Sequence, residues 1–278
     1  MIILYRWIQQ QISSFNNGDR SVKREEMEIQ RSLQSLGFDD WFHEQSVSLV
    51  KDDFSIARIT EVNKGNYKVS DGPHEMRAEL SGKMLYQMEG SLDYPAVGDW
   101  VVVQCFDDFT LAIVHHVLPR KSLLKRRDPG KAVEYQLIAA NIDFAFIMQS
   151  LDNNFNLNRL ERYLVMTHES KITPIIVFNK IDLRSEQELS EIKDSMKRFG
   201  DKYFIILISN KTGEGIALLK ENLQTGKTYC LLGSSGVGKS TLLNTLLGGE
   251  FLEVREVREK DHKGRHTTSR RQLVRLES

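Results

Sequence analysis

The stretch Tyr229-Cys230-Leu231-Leu232-Gly233-Ser234-Ser235-Gly236-Val237-Gly238-Lys239-Ser240-Thr241 carries the residue types that grip phosphate. A short apolar run enters a loop of the form G-x-x-x-x-G-K-S, and Leu242, Leu243, Leu246 and Leu247 follow at helical spacing. Strand, glycine loop and helix in that order are the setting of a phosphate-binding P-loop. Gly236 and Gly238 can take positive φ and let backbone N–H groups crowd around phosphate oxygens. Lys239 is placed to neutralise the β and γ phosphates, and the Ser240 hydroxyl to complete the shell of a Mg²⁺ ion. The helix that starts near Lys239 adds its positive dipole end. The loop is expected to bind a nucleoside triphosphate.

Two further loops bear on which base that nucleotide carries. A strand ending at Phe178 delivers Asn179-Lys180-Ile181-Asp182. A carboxylate at Asp182 can accept from both N1–H and the exocyclic amine of guanine. Adenine offers no such pair of donors and would leave the carboxylate unpaired, a mode of discrimination that can reach ~10⁴ or more. Asn179 is expected to support the loop and the base edge, with the stem of Lys180 across the base plane. One β–α unit later, Ser209-Asn210-Lys211 resembles the S-A-K loop of GTPases, whose backbone N–H touches the guanine carbonyl oxygen. In ordinary small GTPases the P-loop comes first and these two loops last. Here they precede it, so the chain reads as circularly permuted, which a fold with nearby termini tolerates. After the P-loop helix, residues 261–270 occupy the place of switch I, where a threonine would ligate Mg²⁺ and sense the γ-phosphate. Thr267 and Thr268 are both candidates.

Composition is that of a soluble globular protein of about two domains: 278 residues, 40% hydrophobic, 27% charged, formal net charge zero. Cys105 and Cys230 both sit in apolar surroundings and read as small buried hydrophobes of a reduced cytosol, too few for a zinc site. The opening Met1-Ile2-Ile3-Leu4-Tyr5 is too short to span a bilayer and lacks the order of a signal peptide. A cytoplasmic protein with no membrane partner is expected.

The elements that must position the loops follow from periodicity. Residues 1–45 read as an N-terminal extension, partly helical, with Ile29, Leu33 and Leu36 at helical spacing and Gly37 as a stop. Residues 46–120 hold five short strands, 54–62, 67–69, 76–80, 100–104 and 110–117, separated by turn residues. No long helix interrupts them, which predicts a small closed barrel of the OB type, with an SH3-like barrel as the alternative. Residues 121–134 continue a basic linker: Arg120, Lys121, Lys125, Arg126, Arg127 and Lys131 against Asp128 leave a local charge of +5 over residues 120–131. Beside such a barrel, Arg120, Lys121, Lys125, Arg126 and Arg127 are candidate contacts to RNA phosphate. Residues 135–278 alternate strands with helices, predicting a mainly parallel α/β sheet with ligands at the carboxyl ends of its strands. One of its helices, 157–168, is expected to turn Leu160, Leu164 and Val165 inward.

The combination resembles the circularly permuted, ribosome-small-subunit-dependent GTPases of bacteria, the RsgA or YjeQ family. The residues that carry the resemblance are Leu36-Gly37-Phe38, Pro95-Ala96-Val97-Gly98-Asp99-Trp100, Leu118-Pro119-Arg120-Lys121-Ser122, Asn158-Arg159-Leu160-Glu161-Arg162-Tyr163, N-K-I-D, G-S-S-G-V-G-K-S-T and Gly264-Arg265-His266-Thr267-Thr268. It implies an OB barrel that binds ribosomal RNA, a GTPase domain, and a role in late maturation of the 30S subunit. The 30S particle, 16S rRNA and guanine nucleotide would be the partners of a monomer. GTP or GDP with Mg²⁺ would be held by Asn179, Lys180, Ile181, Asp182, Ser209, Asn210, Lys211 and residues 233–241, with Ser240 and Thr267 or Thr268 on the metal. Family members continue past this point into a strand, a D-T-P-G loop and a cysteine/histidine zinc domain, whereas this sequence stops at Ser278. A missing sheet strand, no zinc ligands, no nameable catalytic residue and impaired hydrolysis are therefore expected. A non-hydrolysing RNA-binding module with a vestigial nucleotide site is the alternative reading, and a P-loop ATPase or kinase a third that N-K-I-D disfavours.

Overall fold

A computed structural model describes residues 2–7, 29–51, 53–63, 65–127, 135–199, 203–249 and 271–277. The chain divides into two compact units, one holding 143–224 and 229–269, the other 2–142, 225–228 and 270–278.

The second of these opens with β1 (Ile2–Trp7), a helix over residues 29–35 and α1 (Asp40–Ser46). Five strands follow: β2 (Ser55–Asn63), β3 (Asn66–Ser70), β4 (Glu75–Leu80), then, after α2 (Gly82–Gln87), β5 (Trp100–Phe106) and β6 (Leu111–Val117). Burial alternates along β3 and β4 and turns Tyr67, Val69, Met76 and Ala78 inward. They meet Ala57, Ile59, Val101, Val103, Ala112 and Val114 in one core. Strand β2 pairs antiparallel with both β3 and β5, β3 with β4, and β5 with β6. Closure comes from β4 lying parallel to β6, with Arg77 opposite Leu111. The sheet thus closes in the order β2-β3-β4-β6-β5, an OB-type barrel.

Leu36-Gly37-Phe38 has a structural reason. Gly37 sits at φ +94°, and a Cβ there would stand 2.7 Å from the Gly226 carbonyl oxygen. Phe38 packs edge-on against the buried Trp100, and the Leu36 carbonyl accepts from the buried Arg58 guanidinium. Arg58 also donates to the carbonyls of Gly98 (3.2 Å) and Asn141 (3.1 Å) and to Thr228 Oγ1 (2.9 Å), so each nitrogen of the buried guanidinium is hydrogen-bonded.

Part of the basic stretch is strand: β7 (Leu123–Arg127) pairs antiparallel with β8 (Tyr135–Ala140). The other unit holds β9 (Phe144–Ser150), α3 (Leu157–Glu169), β10 (Thr173–Asn179), α4 (Glu186–Met196), β11 (Phe204–Leu207), α5 (Ile216–Glu221), β12 (Thr228–Leu232) and α6 (Lys239–Leu247). Its parallel sheet runs β11-β10-β9-β12. Helices α3 and α4 cover one face through Leu160, Leu164 and Met196 against Ile147, Ile176 and Phe178. Val165, expected to face inward, is 56% exposed. The inward stripe is Leu160, Leu164 and Thr167, at spacings of four and three, and Val165 lies one residue's rotation off it. Cys230 is buried as expected, its thiol pushed up to about 12 by burial, but Cys105 is only half-buried.

A strand does follow the switch I stretch, against the expectation that the sequence ends before one. β13 (Arg271–Glu277) belongs to the barrel-containing unit, where it pairs parallel with β1 and antiparallel with β2. Leu273 and Leu276 are buried there, and pairing on both sides explains the strand. Among the described residues no helix is long and apolar enough to cross a membrane.

Candidate nucleotide site

The site lies at the carboxyl ends of β9, β10 and β12, where an α/β sheet places its ligands. Beyond Leu232 the chain turns through Gly233, Gly236 (φ +77°) and Gly238 (φ +98°) into α6. Gly238 is required twice over: its φ is left-handed, and a Cβ would come 2.3 Å from Asn179 Nδ2 and 2.7 Å from Asn210 Nδ2. Lys239 folds back on the loop and donates from Nζ to the carbonyls of Gly233 (3.0 Å) and Ser234 (2.6 Å). Burial pushes its ammonium below the usual lysine range. The Ser240 hydroxyl, at the second position of the helix, makes no hydrogen bond among the described residues. Glycine loop, lysine and open hydroxyl fit a Mg²⁺–nucleotide phosphate group.

The two base loops are tied to this cradle. Asn179, 1% exposed, donates from Nδ2 to the Val237 carbonyl (2.8 Å) and accepts at Oδ1 from the Asn210 N–H (3.1 Å). Asn210 in turn donates from Nδ2 to the Gly238 carbonyl (3.0 Å), while its Oδ1 is buried with no partner among the described residues. Asn179 thus braces three loops. Lys180 takes φ +64° and reaches Asp152, Nζ to Oδ2 2.7 Å. Burial works to raise the Asp152 carboxyl, but hydrogen bonds from Lys180, Ser150 and the Asn154 N–H outweigh it and hold it down at about 2. Ile181 is buried, and its N–H donates to the Ile208 carbonyl. Asp182 is exposed, its Oδ1 accepting from Ser209 Oγ (2.6 Å). Its second oxygen has no partner among the described residues. Ser209 is buried and also accepts at Oγ from the N–H groups of Lys211 and Thr212, which fixes the loop. Thr241 lies one residue further into α6, and Ser235 at the exposed crown of the P-loop. Thr267 and Thr268 lie outside the described residues.

Sequence reasoning missed Asp152, Asn154 and Ser150. Their signal was position alone, just past the end of a buried strand neighbouring the P-loop strand. Asn158-Arg159 stood out only as part of a resemblance, yet Arg159 Nη1 donates to Ser234 Oγ at 2.7 Å.

The basic residues have local partners. Arg120 chelates the buried Asp99 through Nε (2.8 Å) and Nη2 (2.7 Å), and donates to the carbonyls of Leu92 (2.7 Å) and Tyr94 (2.8 Å). Burial pushes the Asp99 carboxyl up and Arg120 pulls it down, burial being the larger influence. Lys121 pairs with Asp39 and lies over the Trp41 and Phe42 rings. Lys125 stands 4.5 Å from the centre of the Tyr135 ring, and Arg126 Nε donates to Gln136 Oε1 (2.9 Å). Lys125 and Arg126 remain exposed, and Arg127 lies in β7.

The chain is also similar to known proteins in sequence and in structure. The profile of the RsgA GTPase family matches residues 117–278. The chain belongs to the RsgA GTPase family. A Bacteroides thetaiotaomicron protein named small ribosomal subunit biogenesis GTPase RsgA 1 is 37% identical over 236 residues, 85% of this chain and 65% of that protein. The RsgA of Opitutus terrae is 35% identical, over 88% of this chain and 68% of its own. The crystal structure of YjeQ from Thermotoga maritima superposes with a TM-score of 0.58 at 27% identity, covering 73% of this chain and 67% of that one. The fold is therefore an OB-type barrel with a circularly permuted G domain, base loops preceding the P-loop. The chain spans about two thirds of the length of these relatives.

Proposed function

We propose that the chain binds GTP and GDP with Mg²⁺ and hydrolyses GTP as a factor in small ribosomal subunit assembly in the cytoplasm. The observation that carries this is the bracing of the phosphate loop to the N-K-I-D and S-N-K loops through Asn179 and Asn210. Such bracing supports one site that reads phosphate and base together. In this reading Gly233 to Thr241 cradle the phosphates, with Lys239 leaving its loop carbonyls for the β and γ oxygens. Ser240, with Thr267 or Thr268, would hold Mg²⁺, which shields the developing phosphoryl charge when bound. The open oxygen of Asp182 takes the guanine N–H donors, while Ser209 holds the carboxylate in place. The Lys180 stem, pinned by Asp152, lies along the base. The names of the relatives point to the small ribosomal subunit as the particle on which the factor acts, its 16S rRNA contacted by the barrel side. Lys125 and Arg126 are exposed and available as phosphate contacts, whereas Arg120 is committed to Asp99.

The test is binding of fluorescent mant-GDP to the 278-residue chain with Mg²⁺, with ATP as competitor and Lys239→Ala as control. Micromolar binding that ATP does not displace and that Lys239→Ala abolishes is expected. A folded chain that binds no guanine nucleotide would refute the reading. Asp182→Asn should move the preference from guanine towards xanthine nucleotide.

A further inference from the structure

Arg159 lies in the first turn of α3, where its N–H is capped by Asn156 Oδ1 at 2.9 Å. Its side chain leaves the helix and runs to the P-loop. Nη1 donates to Ser234 Oγ (2.7 Å) and to the Asn154 side-chain and main-chain oxygens (2.8 and 3.3 Å). Asn154 adds a second hold on the loop, from Nδ2 to Ser234 Oγ at 3.0 Å and to the Ser235 carbonyl at 3.4 Å. The other face of Ser234, its carbonyl, holds the Lys239 ammonium. The guanidinium and the phosphate-binding lysine are therefore anchored on the same P-loop residue.

The donor inventory makes the arrangement more than a brace. A guanidinium has five N–H groups in a rigid fork and cannot shed its charge near neutral pH. At Arg159 only Nη1 is engaged, and the N–H groups of Nε and Nη2 donate to nothing among the described residues. No carboxylate accepts from it there, in contrast to Arg120, whose every nitrogen is used. A half-buried, oriented cation with open donors beside a phosphate loop is suited to an anion, and a guanidinium suits a phosphoryl group's paired oxygens. An arginine supplied in cis can also stabilise charge on a transferring phosphoryl.

We propose that Arg159 is a specificity-determining residue that contacts the terminal phosphate of a bound nucleoside triphosphate and sets the preference for triphosphate over diphosphate. This rests on the nucleotide-site reading above. Asn154 and Ser234 act as positioning residues that aim the guanidinium. Asp152 links this cluster to the base loop, since it accepts from the Asn154 N–H (2.9 Å) and from Lys180.

The experiment is equilibrium titration of mant-GDP and of the non-hydrolysable mant-GMPPNP, with Mg²⁺, into the full chain and its Arg159→Ala, Arg159→Lys and Ser234→Ala variants. Arg159→Ala is expected to weaken GMPPNP by tenfold or more with GDP within twofold, and Arg159→Lys to recover part of the loss. Ser234→Ala, which removes one of the guanidinium's three acceptors and leaves the guanidinium in place, should lower the GMPPNP-to-GDP ratio by a smaller factor. Equal loss for both nucleotides would overturn the proposal and leave Arg159 a loop brace, as would an unchanged ratio in all three variants. A wild-type chain that binds neither nucleotide would overturn the underlying reading, and this proposal with it.

Discussion

Asn179 is where the phosphate and base loops can be uncoupled by one substitution. Asn179→Ala removes the donor to the Val237 carbonyl and the acceptor of the Asn210 N–H, at a position 1% exposed. Leaving a buried partner unsatisfied costs about 1–3 kcal/mol, so the two together amount to roughly 2–6 kcal/mol. The loops must be ordered to hold nucleotide. If about half of that cost falls on the bound state, mant-GDP affinity drops by a factor of roughly 5 to 150. Asn179→Asp separates the two bonds: it keeps an acceptor for the Asn210 N–H but sets a carboxylate oxygen against the Val237 carbonyl. It should bind no better than the alanine variant. Titration with mant-GDP, alongside urea unfolding of each variant, measures both shares. Affinity within threefold of wild type for Asn179→Ala, with an unchanged unfolding midpoint, would refute the bracing role.

Other consequences can be measured on the same chain. Arg120→Met strands the buried Asp99 carboxylate and should cost about 3–5 kcal/mol in urea unfolding. The loss should be largest near neutral pH and ease in acid, where Asp99 takes up a proton, with Asp99→Asn in the same background recovering part of it. Asp152, held at about 2 against an ordinary 3.8, favours the folded state fully above about pH 4, a contribution lost as pH falls towards 2. The stability gap between wild type and Asp152→Asn should therefore close over that acid range. Gln149 is fully buried with neither amide atom partnered among the described residues, so Gln149→Leu should raise the unfolding free energy by about 1–3 kcal/mol.

Both units were legible where a local rule dictates geometry. Alternation at Tyr67, Val69, Met76 and Ala78 announces strands with one buried face, and the G-x-x-x-x-G-K-S spacing announces its own turn. The parallel β4–β6 pairing that selects an OB barrel over an SH3-like one is a contact between residues far apart in sequence, which periodicity does not encode. The same holds at the site. N-K-I-D identifies Asp182, but the inward turn of Asn179 depends on where the P-loop lies. Charge was the poorest guide: Arg120 counts as +1 in any composition, and only the fold shows that it neutralises Asp99. Strand β13 went unassigned because a seven-residue segment with three charged residues carries little signal without its partners β1 and β2.

The pairing of β1 with β13 sets a timetable for biosynthesis. Ile2 and its partner Gln272 are separated by 270 positions. At about 5–20 residues per second, the apolar opening strand leaves the ribosome roughly 15–55 s before its partner has been made. Throughout that interval Ile3 and Leu4, both buried in the finished protein, have no native neighbour on β13 to cover them. The barrel can close on β2 to β6 while translation continues, but this pairing cannot. The β1 residues thus reach their native pairing late, and a chaperone that shields exposed apolar strands would have longer to act on β1 than on β2 to β6.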